Sequence, residues 1–365
     1  MRVFRCPHCG SAVDYAQQRC GACLTEVAFH KPWMALALAP AEGESTTIDD
    51  VEWIRCANWD RRCNWLVEKD SATGVCFADG FVRNGPGPDD AKALSELAAT
   101  LKALRRLIFQ LLDLGLPITP FHQDPKGLAF DLISSESLGH PVTMGHANGV
   151  ITIDLAESLE LYRERQRIIL KEPYRTMLGH MRHEVGHYYE MILITGGALI
   201  DEARSFFGDE RRNYQTALAD YYAGRVAENW DHDYISHYAT AHPWEDWAET
   251  FAHYLHITGT LATVADSGLM LRADRVHFDL DADIDPRVHY GEGDFAVMVH
   301  DWEVLSGVLN RVNHAMGKEA LYPFRLNLPV VAKLGFVHNV LSTAEATEAV
   351  KRSGRGGPRP GDASM

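Results

Sequence analysis

No apolar run in this 365-residue chain reaches the eighteen or so residues that a membrane helix needs. The nearest, Met191 to Ile200, is interrupted by Gly196-Gly197. The opening residues, Met1-Arg2-Val3-Phe4-Arg5-Cys6, lack the apolar core and small-residue cleavage site of a secretory signal, so a cytoplasmic location is expected. Basic side chains are also short: 35 Lys and Arg stand against 50 Asp and Glu, for a formal charge of −15. That balance argues against nucleic acid or an anionic membrane as the main partner. Residues 1–90 keep the imbalance, with nine basic against thirteen acidic side chains, so the N-terminal part lacks the footprint of a nucleic-acid reader. Cysteine is absent after Cys76, and the chain contains no internal repeat. What remains is ordinary for a globular protein, at 46% apolar and 10% aromatic residues, with length enough for one small and one larger domain.

The seven cysteines are therefore concentrated. Four form two short knuckles, Cys6-Pro7-His8-Cys9 and Cys20-Gly21-Ala22-Cys23. Each C-x-x-C loop presents two thiolates to one tetrahedral zinc, and the ten residues between the knuckles suffice for a hairpin. Without a secretory signal, metal binding in a reducing compartment is expected rather than disulfides. A thioredoxin-type redox site needs one such motif opening a helix, not two glycine-bearing knuckles. Cys56, Cys63 and Cys76 form a second set without an obvious fourth cysteine.

His183-Glu184-Val185-Gly186-His187 carries the densest chemistry. On a helix, positions i and i+4 share one face, so both imidazoles can reach one metal ion. Glu184 sits beside the first of them, where it can take a proton from a metal-activated water. The run from Tyr174 to Arg182 has no proline after Pro173. Met177, Leu178 and Met181, continued by Val185, Tyr188 and Tyr189, place the motif on a buried helix.

A catalytic zinc needs a third protein ligand and an open position. Downstream, Pro243 suits the first turn of a helix on which Trp244, Trp247, Ala248 and Phe251 make an apolar stripe. Glu245 and Glu249 share another face of it. Glu245 is the expected third ligand. Glu249, one turn on, is expected to accept a hydrogen bond from the outer nitrogen of a ligating histidine. Glu249 is also the chief competitor for the ligand role, with Asp246, Asp220 and Glu228 more remote. Asp246 is rotated about 100° from Glu245 and cannot share its face. His180, His237, His242, His253 and His256 are expected to be packed or solvated histidines, with His180 the one to watch, a turn before His183.

These segments resemble the gluzincin-type zinc peptidases. More closely, the chain resembles the bacterial family described as putative zinc-binding metallopeptidases with an N-terminal zinc ribbon. The likeness is carried by Gly179 to Tyr189, by His242 to Tyr254 and by Tyr322-Pro323-Phe324, and it covers nearly the whole chain. It implies a catalytic zinc held by His183, His187 and a glutamate. By likeness to anthrax-lethal-factor-type gluzincins, it also implies a tyrosine seven residues before the ligand glutamate that assists the oxyanion; Tyr238 stands at that spacing from Glu245. The family closes its second cysteine group with a further C-x-x-C, whereas position 79 here is Asp79. An aspartate oxygen can ligate zinc, so Cys56, Cys63, Cys76 and Asp79 are read either as a second structural zinc site or as three thiols without metal.

The expected fold is α+β, mainly α: a small β zinc-ribbon domain over residues 1–88, a zincin-like metallopeptidase domain over 89–350, and a disordered tail over 351–365. Asn84 to Asp90 reads as a linker ending in a helix start, and Ala91 to Leu114 as a long amphipathic helix with Lys102, Arg105 and Arg106 on its polar face. Gly149 to Leu155 reads as a strand, either a plain sheet strand or one that pairs with an extended substrate. Phe206 to Tyr222, within the long insert between His187 and Glu245, reads as a loop and then a helix. The expected activity is zinc-dependent hydrolysis of a peptide or protein substrate, with Glu184 as general base, Tyr238 as oxyanion donor, one catalytic zinc and one or two structural ones. The competing expectation is a catalytically silent zinc-binding scaffold, against which the retention of Glu184 argues.

Overall fold

A computed structural model describes residues 2–159, 176–226 and 228–353. The chain divides into two compact units, residues 1–159 together with 346–365, and residues 160–345.

In the first unit the knuckles are built on short antiparallel hairpins. Strands β1 (Val3–Arg5) and β2 (Ala12–Asp14) pair around the first, and β3 (Val27–His30) with β4 (Ala35–Leu38) follow the second. A three-stranded antiparallel sheet comes next, made of β5 (Thr46–Ile48), β6 (Val51–Arg55) and β7 (Leu66–Glu68). Strands this short bury little, so aromatic packing supplies the core. Phe4, Tyr15 and Phe29 meet edge-on or tilted, with ring centroids 5.7–6.0 Å apart. Phe109 closes the cluster from helix α1 (Ala91–Asp113), at 4.6 Å from Tyr15.

Helix α1 forms where the leucine periodicity places it, and Asp90 caps it by accepting a hydrogen bond from the Ala93 amide. One expectation on it fails. Arg105, assigned to the polar face, is 2% accessible, because its guanidinium finds a buried carboxylate to pair with. The segment before the Gly-Pro run is also more than a linker: β8 (Val82–Asn84) pairs in parallel with β9 (Ala129–Ile133). The short helix α2 (Ser135–Leu138) leads on to β10 (Gly145–Ala147) and β11 (Val150–Asp154), giving a sheet of order β10-β11-β9-β8. β11 is the strand expected over 149–155. It lies between β9 and β10 and is hydrogen-bonded to both, so it offers no free edge to an extended peptide through Thr152.

The second unit is helical. Helix α3 (Met177–Leu193) is capped by Thr176, whose hydroxyl accepts from the Gly179 amide. Residues 174 and 175 of the segment expected to lead into it lie outside the described residues. The insert then supplies α4 (Ala198–Phe207) and α5 (Tyr214–Tyr222). Helix α6 (Pro243–Asp266) has Pro243 in its first turn as expected, and α7 (Phe295–Ala315) and the part of α8 (Leu328–Ser353) before residue 346 complete the unit. The expected tail begins within the end of α8, and residues 354–365 lie outside the described residues.

Helices α3 and α6 lie face to face, and small residues set their spacing. A Cβ on Gly186 would stand 3.0 Å from the Ala248 Cα and 3.3 Å from the Phe251 Cβ. The Trp247 indole donates to the Gly186 carbonyl at 2.8 Å, and Tyr189 stacks on Phe251 at 5.2 Å. Among the described residues no helix is long and apolar enough to cross a membrane.

Candidate metal centres

The close approach of α3 and α6 converts two sequence motifs into one site. His183 and His187 project from successive turns of α3 with rings 5.0 Å apart. From α6, Glu245 directs Oε2 between them, 3.0 Å from the His183 Nε2 and 3.4 Å from the His187 Nε2. Three donor atoms each about 2.0–2.1 Å from a tetrahedral zinc would stand roughly 3.3 Å apart, so the trio fits that ion. Glu245 is 1% accessible. Burial alone would raise its carboxyl, yet contacts with both imidazoles hold it well below the usual range. His183 is shifted the opposite way. Burial opposes its charge, but hydrogen bonds to Glu245 and Glu249 raise it well above an ordinary histidine.

Around the trio each expected partner takes a defined place. Glu249 accepts at 2.7 Å from the His183 Nδ1, the ring nitrogen turned away from the cluster, and so fixes the ring's orientation. Asp246 faces elsewhere, bound by the Lys333 ammonium at 2.6 Å. Asp220 pairs with Arg225, and neither Asp220 nor Glu228 joins the donor cluster. Glu184 is buried, with Oε1 3.1 Å from the His180 Nε2. Its second oxygen, Oε2, is buried and has no hydrogen-bond partner among the described residues. Burial would raise the Glu184 carboxyl, but the His180 contact and the neighbouring histidines keep it below its ordinary value, so it is ionised. Glu190, one turn beyond His187, is pushed up to about 8 by burial and by the charges of Glu210 and Glu245.

Tyr238 stands beside the cluster with its ring 5.8 Å from that of His183. Burial and then the charge of Glu245 push its phenol far up, so it is a neutral donor at any ordinary pH. The remaining histidines have structural roles. His242 caps α6 and contacts the Arg212 carbonyl, His237 meets the Tyr221 hydroxyl, and the half-buried His256 meets Arg182. His253 contacts the Tyr322 hydroxyl at 2.8 Å and the Phe324 ring at 4.3 Å, which is where the Tyr322-Pro323-Phe324 motif belongs.

The cysteine sets also assemble. In the first knuckle pair, Cys6 lies 3.7 Å from Cys23 and Cys9 3.7 Å from Cys20, close to the edge of a tetrahedron with zinc–sulfur bonds of about 2.3 Å. Both knuckles end in a left-handed residue, Gly10 (φ 75°) and Leu24 (φ 62°), so the same turn is made twice. In the second set, Cys63 and Cys76 lie 3.6 Å apart and the Cys56 sulfur 3.8 Å from the Asp79 Oδ2. All four are buried. Cys56 accepts from the backbone amides of Asn58 and Cys76, as a thiolate does in a metal knuckle. Asp79 is held by Arg105 through two bonds of 2.7 Å and by Asn58 at 2.7 Å. The Asp79 oxygen against the sulfurs is Oδ2, which also accepts from the Arg105 Nη2 and the Asn58 Nδ2.

Sequence reasoning missed Arg105 and Tyr214. The Tyr214 hydroxyl donates to the Glu245 Oε1 at 2.7 Å. Neither residue sits at a fixed offset from the group it holds, so no local signal announced it.

Comparison with known proteins agrees with this geometry. A model of the family described as putative zinc-binding metallo-peptidase matches residues 93–340, and one described as a zinc-ribbon domain matches residues 3–89. Uncharacterized proteins of Mycobacterium bovis and of two Mycobacterium tuberculosis strains are 41% identical over 344 residues, spanning 93% of this chain and 95% of each relative. No solved structure gives a significant match. The resemblance read from the motifs, and the α+β, mainly helical class with an N-terminal ribbon, are both borne out.

Proposed function

The chain belongs to the family described as putative zinc-binding metallo-peptidases, and on that premise we propose that it hydrolyses peptide bonds with zinc held by His183, His187 and Glu245. The observation that carries this reading is the Glu184 Oε2, buried and without a partner among the described residues, beside a three-donor cluster. An unpaired buried carboxylate oxygen is costly, and a site that only bound metal would have no use for it. When bound, zinc supplies Lewis-acid chemistry, polarising a carbonyl and lowering the pKa of a water toward neutrality. Glu184 takes the proton of the attacking water at Oε2 while His180 holds Oε1, and then delivers that proton to the leaving amine. Tyr238 donates a hydrogen bond to the oxyanion, a role for which its neutral phenol is suited. Glu249 keeps the His183 ring turned toward the cluster.

In the ribbon, Cys6, Cys9, Cys20 and Cys23 hold a structural zinc, and Cys56, Cys63, Cys76 and Asp79 hold a second, with Arg105 offsetting part of its negative charge. The test is digestion of a peptide library by the zinc-loaded protein, with products read by mass spectrometry. Cleavage that disappears with a chelator and returns with added zinc supports the reading. A fully loaded α3–α6 site without cleavage would identify a silent scaffold instead.

A further inference from the structure

We propose that Tyr214, delivered by the insert between the two ligand-bearing helices, is the positioning residue that fixes Glu245 for metal binding. The inference rests on the reading that His183, His187 and Glu245 hold zinc. Glu245 has two oxygens, and only Oε2 faces the imidazoles. The other, Oε1, accepts the Tyr214 hydroxyl at 2.7 Å. A carboxylate with both oxygens free can rotate between one-oxygen and two-oxygen binding. One whose outer oxygen is tied presents a single oxygen in a fixed direction, and the hydrogen-bond donors behind metal ligands act in this way.

The phenol is itself held. Tyr214 is the first residue of α5, directly after its cap Asn213, whose side chain accepts from the Thr216 amide. Its ring packs edge-on against His242 at 5.2 Å and tilted against Trp244 at 5.5 Å. The backbone just before it is tied to the same place, because the Arg212 carbonyl accepts from the His242 Nε2 at 3.1 Å. His242 in turn caps α6 three residues before Glu245, accepting from the Trp244 amide. The start of α5 and the first turn of α6 are thus joined by backbone and ring contacts that do not involve Glu245, and the phenol reaches the carboxylate from a preformed support. The insert thereby carries a donor to the one ligand that a flexible carboxylate would otherwise leave loose.

Tyr214→Phe removes the hydroxyl and keeps the ring. In the full-length chain, competition with a chromophoric zinc chelator should show the α3–α6 zinc bound roughly ten- to a hundredfold more weakly than in the wild type. The cysteine-bound zinc and the circular-dichroism spectrum should be unchanged, a pattern that a purely packing role would not produce. Should Tyr214→Phe misfold, Asn213→Ala, which loosens the start of α5 without touching the ring, should give a smaller loss in the same assay. Wild-type affinity in a folded Tyr214→Phe overturns the inference alone. Unchanged affinity with lost turnover also overturns it, placing the phenol at the reacting atoms instead. A wild-type chain holding no zinc beyond its cysteine sites overturns the underlying reading as well.

Discussion

Glu245 and Glu249 both touch His183, but on opposite sides of the ring. Glu245 meets Nε2, the nitrogen that converges with the His187 Nε2, whereas Glu249 meets Nδ1, which points away. In the proposed zinc site the first contact is that of a ligand and the second that of a support that fixes the tautomer. Glu245→Ala should therefore abolish zinc binding at this centre, while Glu249→Ala should weaken it by roughly ten- to a hundredfold, as measured by chelator competition. The choice between the two carboxylates was open in the sequence, where they share a helix face and differ by one turn. The histidine ring distinguishes them only by which nitrogen each meets. The i, i+4 histidines and the flanking Glu184 were legible because a helix fixes their geometry locally. Tyr214 and Arg105 were not, because each reaches its carboxylate across a tertiary contact.

At the scale of elements, the site depends on how closely α3 and α6 approach, and Gly186 sets that distance. It lies inside the metal-binding motif but carries no ligand atom. In a helix interior, Gly→Ala ordinarily stabilises by about 1 kcal/mol. Here the new methyl would press on the Ala248 backbone at 3.0–3.2 Å and on the Phe251 Cβ at 3.3 Å. Both neighbours are buried and neither can swing aside, so overpacking of roughly 1–3 kcal/mol should outweigh the propensity gain. Gly186→Ala should lower the denaturant midpoint and, by moving Glu245 off the imidazoles, weaken zinc binding too. Urea unfolding with and without zinc checks both effects. The helices themselves were legible, since α1, α3 and α6 follow apolar periodicity, caps and Pro243. The place of β11 was not, because alternation reports that a strand exists and says nothing of what flanks it.

For the whole molecule, the account implies three metal ions per chain, two of them in the cysteine-bearing region. Elemental analysis of protein purified without chelator should give three zinc ions. Cys6→Ser should remove one and unfold the first hairpin, because structural zinc contributes folding free energy directly. A count of two, with Cys56→Ser leaving it unchanged, would mean that Arg105 and Asp79 stabilise the second set without metal. The cysteine knuckles were legible because C-x-x-C spacing is local. Whether Asp79 could replace a cysteine was not, since the answer lies in Arg105, twenty-six residues further along the chain. Carboxylates also gather at the α3–α6 site, where Glu184, Glu245 and Glu249 stand near two histidines.

The central claim is hydrolysis with Glu184 as the base, and one measurement addresses it directly. The zinc-loaded wild type and the zinc-loaded Glu184→Gln variant are each incubated with a peptide library in water enriched in heavy oxygen. The account predicts new carboxyl termini carrying the heavy isotope for the wild type. For the variant it predicts a loss of at least about a hundredfold at equal zinc content, since an amide cannot take the water's proton. Cleavage by Glu184→Gln at a near-normal rate would contradict it.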